Sequence, residues 1–272
     1  MFGRSKTRCP LEPDVARWVE RSMGWLAGRF GESILLDGRV VVPDSSFFPD
    51  PASGTVADLT PLFDRVSVYM RLDPDDIHLR FFSEGGMTDL GNGLVVMNEG
   101  PSAAGLYRDR MGKPIVSIKI GEGIGVASYI ATMAHELAHV HLIGGKHVNP
   151  DRDDHEPLTD LATVFFGLGV FNANSVISDV QWADAGWSGW SIGRCGYLPE
   201  EVFGYAFAVY AWRRGESKPT WARFLRPNVR SVFKHGLRYL NAAGTCDYDP
   251  AVNTEGPTTT YPGTRMDQET PR

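Results

Sequence analysis

The chain has 272 residues, 42% of them hydrophobic and 22% charged, which is the composition of a globular protein and excludes a mainly disordered one. Its net charge of -6 argues against a chain built to hold nucleic acid, and no run reaches the roughly 18 to 20 apolar residues that cross a bilayer. Cys9, Cys195 and Cys246 are far apart and show no C-x-x-C spacing, so neither a disulfide framework nor a thiolate metal site is expected. The start has basic residues but no apolar stretch behind them, and the expected location is cytoplasmic.

Asp14 to Phe30 places Val15, Trp18, Val19, Met23, Trp25 and Leu26 at helical spacing, with Gly31 as a stop. Ile34 to Val42 reads as a short hairpin turning at Asp37-Gly38, and the loop to Pro51 carries an SSFFP segment apolar enough to pack on the core. Thr55 to Leu72 reads as helix and Ile77 to Phe82 as strand. Ser83 to Gly105 is a loop region interrupted by the apolar run Leu94 to Met97. Ile115 to Ile120 alternates β-branched residues with Ser117 and Lys119, the pattern of a half-buried strand.

The next helix begins near Val126 and runs to about Ile143, where Gly144-Gly145 offers a stop. Further helices are expected at 157–171, 199–213 and 226–240. The predicted organisation is one domain over 1–242, with an α+β part to about 122 and a helical part from about 123, followed by a disordered tail at 243–272 that lacks periodicity.

Five of the 7 histidines lie between positions 135 and 155, and the string MAHELAHVHLIG contains H-E-x-x-H. On a helix, positions i and i+4 share a face, so His135 and His139 can aim imidazole nitrogens at one ion, with Glu136 beside them as general base. The helix is otherwise apolar, and burying a glutamate and two histidines there is costly unless a partner compensates. One zinc ion per chain is therefore expected.

A third ligand is sought in DHEPLTDLATVFFG, where Glu156 and Asp160 stand one turn apart on a helix that Pro157 begins. Either carboxylate can be the ligand, the other then supporting the site, and His155 is an alternative. His141 falls on another side of the helix and His147 in a loop. Gly145 occupies the position where the metzincin pattern needs a third histidine, so that pattern fails. GEGIG at 121–125 lacks the lysine of a phosphate loop. Zinc is usually assisted at the developing oxyanion by a tyrosine, histidine or arginine; Tyr107, Arg194, Tyr197, Tyr205 and His235 are the candidates.

The E-x-x-x-D pair after HExxH resembles the gluzincin arrangement. That resemblance implies that Glu156 is the third ligand and that Asp160 hydrogen-bonds a ligand histidine. AHELAHVHLIG, EPLTDLATVFFGLGVF and GYLPEEVFGYAFAVYAW together look like a group of bacterial proteins with a zincin-like centre, over roughly Val42 to Leu240. The motif is also similar to bacterial zinc peptidases that cleave transcriptional repressors, although no helix-turn-helix is visible here. The resemblance implies an α+β zincin-like fold, with the active-site helix packed under a small sheet and a largely helical C-terminal part. The strand just before the metal helix, Ile115 to Ile120, is then expected to line the cleft and pair with an extended peptide.

Two functions follow as expectations. The first is a zinc-dependent peptidase that cleaves a protein or peptide by attack of metal-bound water, with Glu136 as base. The alternative is a non-catalytic, metal-stabilised binding or regulatory module, which a fourth protein ligand would favour. Neither a membrane nor a nucleic acid is an expected partner. Arg226, Arg230, Lys234 and Arg238 recur every fourth residue opposite an apolar face; they read as a solvated face or as a docking stripe for an acidic partner.

Overall fold

The computed structural model describes residues 7–50, 54–83, 104–110, 112–121, 123–175, 178–180, 183–184, 187–188, 191–193, 198–251, 256–257 and 259–265. The chain is α+β. Its helices are α1 (Pro13–Phe30), α2 (Glu32–Asp37), α3 (Val56–Tyr69), α4 (Val126–His139), α5 (His155–Phe165), α6 (Gly169–Ser175), α7 (Glu200–Arg213) and α8 (Pro227–Ala243). Strands β1 (His78–Phe82), β2 (Gly105–Arg110) and β3 (Lys113–Lys119) form a sheet in the order β1-β3-β2. Two short antiparallel strand pairs lie between 178 and 193. No helix among the described residues is long and apolar enough to cross a membrane.

Helix α4 organises the core. It packs against β2 and β3 and against α3, α5 and α6. Its buried alanines at 131, 134 and 138 leave room for close approach, and the Asn172 side-chain amide of α6 donates to the Ala131 carbonyl at 3.0 Å. Helix α1 closes the far side of α5 with Trp18, Val19, Met23 and Leu26, all wholly buried. Burying one such aliphatic side chain contributes roughly 1.5 to 3 kcal/mol.

Four expectations need correction. The first concerns Ile34 to Val42, which holds no hairpin, because Glu32–Asp37 is helix α2. Arg214 donates from Nη1 to the Leu35 and Gly38 carbonyls, so a side chain distant in sequence satisfies a helix end that local pattern cannot foresee. The second is the helix expected over 157–171, which breaks into α5 and α6 at Gly167 (φ 88°). A side chain there would be strained and would meet the Arg39 carbonyl oxygen at 2.5 Å.

The third is the strand Ile115 to Ile120, which forms as β3 but is central. It pairs in parallel with β1 and antiparallel with β2, so both its edges are taken, and among the described residues β2 is the edge strand nearest α4. The fourth is the tail, whose described part is docked rather than disordered. Tyr248 and Tyr261 are buried, and Glu20 of α1 accepts the Asp247 amide at 2.7 Å while binding the Tyr205 hydroxyl. Arg21 pairs with Asp247 at 2.9 Å, and a Cβ at Gly24 would strike the Asp249 main chain at 2.5 Å.

Candidate metal centre

Helix α4 carries His135, Glu136 and His139 into the interior, where Glu136 and His139 are 5% and 6% exposed. After His139 the helix widens into a π-helical turn over Val140–Gly144, a rare element that often occurs at functional sites. That turn carries His141 away from the cluster. Its Nε2 lies 2.6 Å from the Met70 carbonyl and its ring stacks on Phe166. His147 meets the Phe30 ring edge-on.

Helix α5 brings the carboxylates. Glu156 Oε2 is 3.0 Å from His135 Nε2 and 3.3 Å from His139 Nε2, and one ligand atom from each of His135, His139 and Glu156 lies within 4.8 Å of the others. Zinc holds nitrogen and oxygen donors at about 2.0 to 2.2 Å in a tetrahedron, which sets neighbouring donors about 3.3 Å apart. The donor set and the separations of 3.0 and 3.3 Å fit that requirement.

The far nitrogens of both imidazoles are also placed. His135 Nδ1 is 2.8 Å from Asp160 Oδ1, and Asp160 Oδ2 accepts the Leu198 amide at 2.9 Å. Both oxygens of this fully buried carboxylate are thus engaged, one on the outer nitrogen of His135 and one on the main chain. His139 Nδ1 is 3.3 Å from Thr159 Oγ1, whose own proton goes to the His155 carbonyl at 2.8 Å. Each Nδ1–H has an oxygen acceptor, so a cation beside Glu156 that displaced the protons on Nε2 would meet two imidazoles already held in the tautomer that binds metal.

The remaining Glu156 oxygen, Oε1, is 3.2 Å from His155 Nε2, and His155 Nδ1 is 2.8 Å from the Arg152 carbonyl. His155 therefore braces the carboxylate from outside the trio. Burial opposes charge on both His135 and Glu156, but their mutual hydrogen bond, the one His135 donates to Asp160 and those His139 and His155 donate to Glu156 outweigh it. His135 is held well above its usual range and Glu156 well below its own. Burial lowers His139. A cation entering beside Glu156 competes with the proton on His135.

Glu136 lies under strand β2. A Cβ at Gly105 would stand 2.6 Å from its Oε1, so only glycine lets the strand pass over the carboxylate. Burial pushes its pKa up to about 7, with the His135 charge opposing the shift and the Glu156 charge adding to it.

Among the proposed oxyanion partners, Tyr107 of β2 stacks its ring on His139, with centroids 6.1 Å apart and planes inclined by 22°. Its hydroxyl is buried with no hydrogen-bond partner among the described residues and rests against Gly144, where a Cβ would approach it to 2.8 Å. Tyr205 is spent on Glu20. His235 is half-buried on α8, the helix packed on α7. Arg194 and Tyr197 lie outside the described residues.

Arg226, just before α8, and Lys234 and Arg238 on it are exposed, and Arg230 is half-buried. Arg230 and Arg238 donate to the Arg223 and Lys234 carbonyls.

Sequence reasoning missed Thr159 and Gly105. Thr159 carried a usable signal, as a polar residue in a helix buried from Pro157 to Phe165 needs a partner. Gly105 carried none, since its role depends on a strand crossing a helix. No protein-family model, no curated protein and no solved structure matches this chain.

Proposed function

We propose that the chain is a zinc-dependent hydrolase of the zincin type, a peptidase acting on a protein or peptide. One observation carries the reading: one ligand atom from each of His135, His139 and Glu156 lies within 4.8 Å of the others, both Nε2 atoms standing 3.0 and 3.3 Å from the same carboxylate oxygen, with the buried carboxylate of Glu136 next to His135 in sequence. A zinc ion held by His135, His139 and Glu156 would supply Lewis acidity to water and to the scissile carbonyl. Three protein donors suit catalysis better than a purely structural ion, for which four are usual.

The residues divide the work. Asp160 and Thr159 hold the imidazoles in the tautomer that binds metal. Glu136, a buried carboxylate beside His135 in the sequence, takes a proton from the attacking water and returns it to the leaving amine. Strand β2, at the sheet edge among the described residues and over Glu136, would give an extended peptide a main-chain ladder to join.

Glu136→Gln keeps the shape and removes the base. This variant is expected to retain zinc and to lose roughly 100-fold or more of the parent's hydrolysis of a quenched fluorescent peptide library. Equal turnover by parent and variant would contradict the mechanism.

A further inference from the structure

The start of α5, which carries His155 and Glu156, is tied down by a residue with no part in the donor set. Asp154 precedes the helix and is wholly buried. Its Oδ2 accepts the Trp18 indole N–H at 2.9 Å and the Tyr261 main-chain N–H at 2.8 Å, and its carboxylate pairs with Arg152. Arg152 also donates to the Thr259 carbonyl at 3.0 Å and packs against Gly256. The Tyr261 ring lies on Trp18, with centroids 4.8 Å apart.

Three parts of the chain that are remote in sequence therefore meet at one carboxylate: α1, the turn before α5, and the C-terminal segment. Asp154 makes no side-chain cap to its own helix, because its oxygens are committed to Trp18, Arg152 and Tyr261. The carbonyl of Arg152 holds His155, and His155 holds Glu156. A continuous set of contacts thus runs from Tyr261 to the carboxylate of the donor trio.

We propose that the C-terminal segment is a working part of the metal centre: by closing on Asp154, Tyr261 fixes the first turn of α5 and hence the position of the Glu156 carboxylate. Asp154 and Tyr261 are then positioning residues. The inference rests on the zinc reading given above. It makes the affinity of the site depend on a segment that supplies no ligand. Loss of that segment leaves a buried carboxylate short of a donor, and such a group pulls the turn toward water.

The test compares the full chain with Tyr261→Ala, which removes the ring that seats the segment on Trp18, with Trp18→Phe, which removes the indole donor to Asp154, and with a chain ending at Pro250, which removes the segment and its main-chain N–H. Zinc affinity is read by chelator competition, and ligand geometry by the visible absorption of the cobalt-substituted protein. Arg21→Ala serves as control, since it loosens the segment at Asp247 and leaves the Asp154 junction in place.

Tyr261→Ala and the shortened chain are expected to bind zinc roughly 10-fold more weakly or worse, as losses around metal ligands generally do, with an altered cobalt spectrum. Arg21→Ala is expected to lower the melting temperature and leave both readouts unchanged. If the shortened chain does not fold, Tyr261→Ala and Trp18→Phe decide. Full-length affinity and spectrum in the folded variants would overturn the inference alone. Absence of zinc from the full chain would overturn the proposed function and this inference with it.

Discussion

Two pairs of packed helices, α4 with α5 and α7 with α8, bury their faces by different means. In the second pair, Val202 to Ala211 of α7 is continuously buried. Gly204 and Gly236 bring the backbones together there: a Cβ at 204 would meet the Val229 carbonyl oxygen at 2.8 Å, and one at 236 the Ala208 Cβ at 2.9 Å. The first pair instead encloses Glu136, His139, Thr159 and Asp160. Well-packed apolar residues stabilise a core as well as a buried ionic set or better, so stability alone does not account for these polar groups. Chemistry does.

The comparison breaks most sharply at the two carboxylates. Glu156→Gln is expected to strip most of the zinc, because it removes a charged donor. Asp160→Asn is expected to weaken binding roughly 10 to 100-fold, since it alters the acceptor for His135 and leaves all three donors in place. Competition with a chelator at fixed pH ranks them, and the reverse ranking would make Asp160 the ligand.

Gly204→Val tests the apolar pair. The added side chain must displace main chain of α8, at a cost of about 1 to 3 kcal/mol in unfolding free energy. Zinc affinity is expected to stay at the parent value. A matching fall in affinity would show that the two pairs do not act separately.

The smallest effect is on pH dependence. Burial opposes the charge on His135, but the hydrogen bonds it donates to Asp160 and Glu156 outweigh that and raise it above its usual 6.5. Its contribution to stability is therefore complete below about pH 6.5 and is lost as pH rises through the raised value. Glu156 is depressed from 4.5 because hydrogen bonds from three histidines outweigh its burial, so its contribution holds above about pH 4.5 and is lost as pH falls through the depressed value. Chelator-treated protein is expected to lose melting temperature above this window. Zinc replaces the His135 proton, so the difference between zinc-loaded and chelated samples should widen toward high pH. A constant difference would contradict the assignment.

Local pattern made some of this legible. Apolar spacing with HExxH located α4, and a carboxylate pair at one-turn spacing located the first turn of α5. The remainder depends on contacts distant in sequence. An Asp-Gly between β-branched residues reads as a hairpin until Arg214 is known to bind the carbonyls of Leu35 and Gly38. The C-terminal segment reads as disordered because it is polar, yet Tyr248 and Tyr261 are buried and its anchor is a main-chain N–H on a buried aspartate. Such anchors leave no periodic trace in the sequence.

Metal analysis of the purified full chain tests the central claim most directly, beside His135→Ala and His139→Ala prepared in the same way. The expected result is about one zinc per chain in the parent and little in either variant. Full zinc content in both variants, or none in the parent, would contradict a metal centre at His135, His139 and Glu156.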